Sequence, residues 1–305
     1  MTPAQTALTA CPDHEPASFP GSSDHIMIRG RRLPIGGLLR QDIANAGLIA
    51  AHRARFLAAE PFEHIVVDGL FDEPLLDLLN DEFDTPEWRR VESGHETHYR
   101  STTARALGSA TQVYLNLVNS APFTQYLSAI SDIPNLISDH TGYGGGLHET
   151  RAGGRFGIHR DFNYHRHNLL ANRLVMITYL NRDWEESYGG ALELWNGNRK
   201  ACVKSILPVF GRTVIFRHSA RSFHGHPEPL APPPGRTRRS IAAYYYVNEH
   251  SDVIMPFWRT STFMDRTLSR GQKAKMVARN IVPPALWMAA SYIRRRGRRR
   301  MPPRT

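Results

Sequence analysis

The chain has 305 residues, of which 41% are hydrophobic and 10% aromatic, enough for a sizeable core in one large domain or two modest ones and unlike a disordered chain. The formal net charge of +10 sits at one end: residues 251–305 hold 13 Lys and Arg against 2 Asp and Glu, whereas the first 250 hold 25 against 26, so the high pI is no sign of a nucleic-acid-binding body. No stretch approaches the ~18 consecutive apolar residues of a membrane span, and two distant cysteines, Cys11 and Cys202, argue against a disulfide framework and for a reducing cytoplasm.

Residues 1–25 are rich in Pro, Ser, Thr and Ala without periodicity and read as a mobile N-terminal arm with no signal-peptide run. Residues 26–136 read as a mostly helical supporting region. LLRQDIANAGLIAAHRARFLA, around 39–59, is helix-like, and HIVVDGLF (64–71) alternates as a strand does. DEPLLDLLNDEF (72–83) has Asp72 placed to cap a helix and Pro74 in its first turn. APFTQYLSAISDI (121–133) puts Phe123, Tyr126, Leu127 and Ile130 on one helical face.

From about residue 137 to 250 the pattern becomes short apolar or alternating runs punctuated by Gly, Asn-Arg and Pro: RLVMITYL (173–180), ALELW (191–195), VKSILPV (203–209), TVIFRH (213–218) and SIAAYYYV (240–247). Many short strands without long helices between them predict an all-β sandwich or barrel, making the whole chain mainly β with flanking helices. TGYGGG (141–146) lacks the Gly-Lys-Ser/Thr of a phosphate loop and reads as a turn. Residues 251–305 read as a basic helical extension ending in ALWMAASYIRRRGRRRMPPRT. Its charge and its Leu286, Trp287 and Tyr292 suit a solvated tail or contact with an anionic membrane surface, with nucleic acid the least favoured partner.

The chemistry concentrates in GIHRDFNYHRHN (157–168). His159 with Asp161, and His165 with His167, share one spacing, and residues two apart on an extended chain face the same side. Either pair can clamp a metal. His159 and Asp161 follow an extended approach and offer one imidazole and one carboxylate, two thirds of the facial triad of non-haem iron oxygenases. RSFHGHPEPL (221–230) supplies a distal partner in His224 or His226.

HRD (159–161), NRLVMITYLNRDWEESYGGALELW (172–195), PVFGRTVIFRHSARSFHGHPEPL (208–230) and TRRSIAAYYY (237–246), in this order, resemble the Fe(II)/2-oxoglutarate-dependent dioxygenases of the prolyl 4-hydroxylase type over roughly residues 137–248. The resemblance implies a double-stranded β-helix, a jelly roll with the metal inside one mouth. It implies His159, Asp161 and His224 as iron ligands and Arg238 as the cation gripping the far carboxylate of 2-oxoglutarate. By the same resemblance Tyr179 stands where a hydroxyl is added to that carboxylate, and O₂ is expected at the last open iron position. Ascorbate is a further cofactor the resemblance allows. The reaction implied is hydroxylation of an unactivated C–H bond, with succinate and CO₂ as co-products; halogenating relatives give up the carboxylate ligand that Asp161 supplies here.

One departure is EPLAPPPG, which lengthens the gap from His224 to Arg238 and leaves Arg236 or Arg239 as alternative anchors. His226 is the alternative to His224. A cupin-like metal enzyme using His165 and His167, or a non-catalytic metal-binding jelly roll, are the rival readings. Otherwise His165 and His167 read as mouth or surface residues, His140, His148 and His250 as ordinary histidines, and Trp184 and Trp195 as packing. The substrate, small-molecule or peptidyl, and the oligomeric state are not legible.

Overall fold

A computed structural model describes residues 24–84, 88–101, 107–139, 141–165, 167–198, 201–248 and 262–263. Strands β1 (His25–Ile28) and β2 (Arg31–Pro34) form a hairpin whose two turn residues, Arg29 and Gly30, both have positive φ (48° and 78°), as a tight primed turn requires. Helix α1 (Ala46–Leu57) starts later than the apolar pattern does. Asn45 caps it by accepting the Leu48 N–H at 3.0 Å, and Gln41–Ala44 is a separate 3₁₀ turn. Strand β3 (His64–Val67) and helix α2 (Glu73–Asp81) fall where alternation and Pro74 place them; Asp72 occupies the cap position without a side-chain cap hydrogen bond. Next come β4 (Trp88–Glu92), β5 (Glu96–Ser101), α3 (Ser109–Val118) and α4 (Ala121–Ser131), the last capped by Ser120 and burying Phe123, Tyr126, Leu127 and Ile130.

The remaining strands are β6 (Ile137–Ser138), β7 (Gly146–Thr150), β8 (Arg155–Arg160), β9 (Ala171–Tyr179), β10 (Leu192–Trp195), β11 (Cys202–Ile206), β12 (Thr213–Arg217), β13 (Phe223–His226), β14 (Arg238–Val247) and β15 (Thr262–Phe263). Their main path runs β11-β10-β13-β8-β5-β7-β14-β9-β12-β3, with every pairing antiparallel. The sheet curls into a double-stranded β-helix: β8, β13, β10 and β11 form one layer and β7, β14, β9, β12 and β3 the other. β5 bridges the layers by pairing with both β8 and β7. The strands β3, β4 and β5 come from before residue 137, so the region expected to be mostly helical also builds part of the sheet.

Strand β14 shows why the core strands read as nearly continuous apolar runs. Ile241, Ala243, Tyr245 and Val247 face one way and join Leu174, Met176 and Ile215 in a core shared with α1–α4. Ala242, Tyr244 and Tyr246 face the other way, into the barrel with Val175, Val214 and Phe216. A strand covered on both faces needs apolar residues at both parities, and only interruptions in that pattern mark the site.

Candidate active site

Strands β8 and β13 place His159 directly opposite His224, and directly opposed residues share a face. Asp161 follows two residues after His159, at the end of the strand. One ligand atom from each of the three lies within 4.8 Å of the other two, and all three residues are buried. His159 Nε2 is 3.3 Å from Asp161 Oδ1, and His224 Nε2 is 3.6 Å from Asp161 Oδ2.

The two imidazoles are held alike. His159 Nδ1 lies 2.9 Å from the Gly157 carbonyl and His224 Nδ1 lies 3.0 Å from the Ser222 carbonyl, each two residues back. A carbonyl can only accept, so Nδ1 carries the proton and donates, which leaves the Nε2 lone pair aimed at the shared point. Burial pushes His224 down to about 4, partly offset by Asp161, so this imidazole is neutral at neutral pH. Burial alone would raise the Asp161 carboxyl, but the adjacent His224 and His159 rings offset this and hold it well below the usual carboxylate range. Asp161 Oδ2 is buried without a hydrogen-bond partner. An orphaned carboxylate oxygen facing two imidazole lone pairs is costly by itself and fits a divalent cation with mixed N/O preference, iron(II) among them.

A glycine sets how closely the ligand strands approach. A Cβ on Gly225, between His224 and His226, would stand 2.7 Å from the Phe156 carbonyl oxygen, and the register shifts at this point. His226 is buried on the same strand but lies outside the ligand group, its Nδ1 without a partner.

At the other end of the chamber Arg238 opens β14 opposite Thr150. Its Nε donates to the Gly190 carbonyl at 2.7 Å and its Nη2 to the Tyr179 hydroxyl at 3.4 Å. Arg238 is 6% exposed, and among the described residues no carboxylate lies within ion-pair distance of it. A buried guanidinium without a counter-ion is expensive unless an anion arrives, so this end suits a carboxylate. The alternatives are engaged elsewhere. Arg236 is exposed and donates to the Arg182 and Asp183 carbonyls, while Arg239 bonds Asn80 and Thr237 and pairs with Asp84 and Glu149. The inserted EPLAPPPG loop leaves Arg238 in place because Leu230 is buried and exchanges backbone hydrogen bonds with Gly153 and Gly154.

His165 and His167 make no such site. His165 is fully buried rather than at the mouth or surface: its Nδ1 accepts the backbone N–H groups of His167 and Asn168, and its Nε2 is 2.9 Å from Thr141 Oγ1. His167 is exposed. Trp184 and Trp195 are buried and bond Gly189 and Glu193. Missed from the sequence were Gly190, whose carbonyl orients Arg238, and His98, which enters the interior from β5 and lies 4.7 Å, centroid to centroid, from Phe156, itself stacked on His159. His148, read as ordinary, is half-buried with its Nε2 unpartnered. The Gly-Gly before β10 was a readable signal for the first; nothing local marked the histidines. His140, His250, Cys11, the N-terminal arm and, apart from β15, the basic extension lie outside the described residues. No helix among the described residues is long and apolar enough to cross a membrane.

A profile of the 2OG-Fe(II) oxygenase superfamily matches residues 145–246. Prolyl 3-hydroxylase OGFOD1 of Xenopus laevis is 34% identical over 86 residues, covering 27% of this chain and 16% of that protein, and its Mus musculus counterpart is 33% identical over 86. The chain thus spans about a sixth of the length of these curated relatives. Among solved structures, a Pseudomonas putida prolyl-4-hydroxylase superposes with a TM-score of 0.47 at 17% identity, over 66% of this chain and all of that one. HygX from Streptomyces hygroscopicus, solved with nickel and 2-oxoglutarate, gives 0.46 at 12% identity over 70% and 96%. The matched segment holds His159, Asp161, His224 and Arg238, and over residues 145–246 the chain is similar to the 2OG-Fe(II) oxygenase superfamily.

Proposed function

We propose that this chain is a hydroxylase in which His159, Asp161 and His224 hold Fe(II), while Arg238 and Tyr179 grip the far carboxylate of 2-oxoglutarate. The observation that carries the reading is a pair of unmet demands in the barrel interior: an unpartnered carboxylate oxygen between two imidazole lone pairs, and a buried guanidinium without a counter-ion among the described residues. Iron, 2-oxoglutarate and O₂ together supply an oxidant able to hydroxylate an unactivated C–H bond, with succinate and CO₂ as co-products.

The chain's own part is to orient and to exclude. The Gly157 and Ser222 carbonyls fix both imidazoles in the ligating tautomer. Asp161 supplies one negative charge, and its retention supports hydroxylation over halogenation. Arg238, held by Gly190, presents its fork to a carboxylate that can take two parallel hydrogen bonds. Phe162, Tyr244 and Phe216 wall the chamber with aromatic surface that keeps bulk water out. Residues 137–250 form the catalytic core in this reading, in a cytoplasmic protein. The substrate is a small molecule or a peptidyl group; solved neighbours include complexes with a peptide fragment and with hygromycin B.

The test is anaerobic. Fe(II) and then 2-oxoglutarate are added to metal-free protein, and the visible metal-to-ligand charge-transfer band is recorded for wild type, Arg238→Ala and His224→Ala. The expected result is a band in wild type, weaker with the arginine change and lost with the histidine change. Bound metal without a band in wild type overturns the reading and returns the protein to the class of non-catalytic metal-binding jelly rolls.

A further inference from the structure

The concave wall carries a row of side chains that iron and 2-oxoglutarate do not use up. The strand registers put Arg89 opposite Arg100, Arg100 opposite His148, His148 opposite Ser240 and Ser240 opposite Tyr179. Directly opposed residues on antiparallel strands share a face. All five therefore point to one side, and Tyr179 identifies it as the side that holds Arg238. At ~4.8 Å per strand, the Arg100 backbone stands ~14 Å along the wall from that of Tyr179. Burial falls along the row: Tyr179 and Ser240 are buried, His148 and Arg100 half-buried, and Arg89 exposed. The row runs from the Arg238 pocket out to solvent.

Two arginines side by side are a costly choice, because like charges directly opposed across strands repel. On the outer face of the same strands the chain neutralises its arginines: Arg90 bonds Glu92 at 3.1 Å, and Arg151, just past β7, bonds Glu149 at 2.7 Å. The side chains of Arg89 and Arg100 make no hydrogen bond, ion pair or ring contact with a described residue. Glu96, on the same face of β5 as Arg100, feels the charge of both arginines but lies beyond ion-pair distance of either, 3.7 Å from His98 Nδ1. Tyr244, on the inner face of β14, feels the charge of both Asp161 and Arg100. Beside Arg100, His148 Nε2 is buried without a partner. Strand β5 lies outside the 145–246 segment that the superfamily profile matches, where recognition particular to this chain is free to differ.

We propose that Arg100, with Arg89 at the rim and His148 beside it, anchors an anionic group of the substrate, a carboxylate or a phosphate, so that the molecule hydroxylated is an acid. The inference rests on the dioxygenase reading above. A planar guanidinium can present two donors to two oxygens of either group, and half-burial strengthens that contact over one at the open surface. Arg238 is left to the co-substrate, and Arg100 selects what is placed over the iron.

Full-length protein loaded with redox-inert Zn(II) in place of iron is saturated with 2-oxoglutarate. It is then titrated calorimetrically with N-acetylglycine, with methyl phosphate and with neutral N-acetylglycinamide. One of the two anions is expected to bind and the neutral amide not to; which anion binds tells carboxylate from phosphate. Arg100→Gln weakens that binding about tenfold, the scale of one charge-assisted hydrogen bond, and Arg100→Lys restores part of it. Arg89→Gln has a smaller effect, and 2-oxoglutarate affinity stays within about twofold in Arg100→Gln.

The inference is overturned if neither anion binds the saturated wild type, or if Arg100→Gln binds as wild type does. It is equally overturned if Arg100→Gln loses 2-oxoglutarate instead, which would make Arg100 part of the co-substrate site. A wild type that binds Zn(II) but no 2-oxoglutarate brings down the dioxygenase reading alone. The same anion titrations, repeated with Arg238→Gln to silence the deep cation, then still read Arg100.

Discussion

Two pairs of the same spacing, His159 with Asp161 and His165 with His167, lie six residues apart in one sequence and meet opposite fates. The first pair closes a strand whose neighbour brings His224 directly opposite, so side chains from two strands converge on one point. The second sits in the loop between β8 and β9. There the Asp139 carboxylate comes within 3.7 Å of His165 Nε2, but His167 is exposed, no three-ligand cluster forms among the described residues, and His165 turns its nitrogens to the loop's own N–H groups and to Thr141. Spacing makes a pair of ligands possible; a partner strand in register makes a site. Where no such strand exists, an equally spaced histidine becomes a rivet for the backbone.

The comparison breaks most visibly at the metal. Site energies of ~10–16 kcal/mol shared among about four ligands put ~3–4 kcal/mol on each, so Asp161→Ala or His224→Ala should cost on the order of 10²–10³-fold in metal affinity. His165→Ala should keep the metal. Competitive metal titration checks this, and metal loss in His165→Ala with retention in His224→Ala would reverse the assignment.

Acid comes next. Burial, with the Arg100 charge adding to it, pushes His98 down to about 3, and burial, partly offset by Asp161, pushes His218 down to about 4. Both folded values lie below the unfolded value near 6.5. The unfolded chain therefore binds more protons below pH 6.5, and the stability these neutral imidazoles carry is lost as pH falls toward 4 and then 3. At pH 5 each costs about 2 kcal/mol relative to pH 7. Urea midpoints of the metal-free protein at the two pH values measure it, and equal midpoints would mean these rings are not held neutral.

At the far end of the chamber Arg238→Ala removes two charge-assisted hydrogen bonds to a carboxylate and should weaken 2-oxoglutarate by ~100-fold, with metal affinity nearly unchanged. Equal losses in Arg236→Ala or Arg239→Ala would show that the long His224–Arg238 loop had moved the anchor after all.

What could be read in advance follows the same rule. Strands covered on both faces, such as SIAAYYYV, announce a buried sheet through composition, and His159-x-Asp161 announces a candidate ligand pair through spacing. That Arg238 rather than Arg239 is buried follows from which side of β14 faces inward, and alternation already put Arg238 on the side of Ser240 and Ala242. Arg100 and His98 were not legible, and Gly190 showed only as half of a Gly-Gly turn, without its partner. Their roles depend on β5 bridging two layers and on a turn before β10 meeting the start of β14, contacts between residues 48 or more positions apart with no local signature. The split of the first predicted helix at Asn45 was legible in principle, because Asn is a strong N-cap.

Finer effects test the rivet. His165→Ala removes a buried ring that accepts two backbone N–H groups and contacts Thr141, leaving those donors unmet. A loss of about 2 kcal/mol in unfolding free energy is expected, with the loop more open to proteolysis. His167→Ala is the smallest change and the sharpest control. Its side chain is exposed, with only loose ring contacts to His165 and Tyr143, and its hydrogen bond to His165 is from a backbone N–H that alanine also has. Stability should stay within about 0.5 kcal/mol, and metal and 2-oxoglutarate affinities should be those of wild type. A large effect on metal from His167→Ala alone would mean that the loop closes over the iron and supplies a ligand in a state other than this one. The two equally spaced pairs would then have to be weighed again as alternatives.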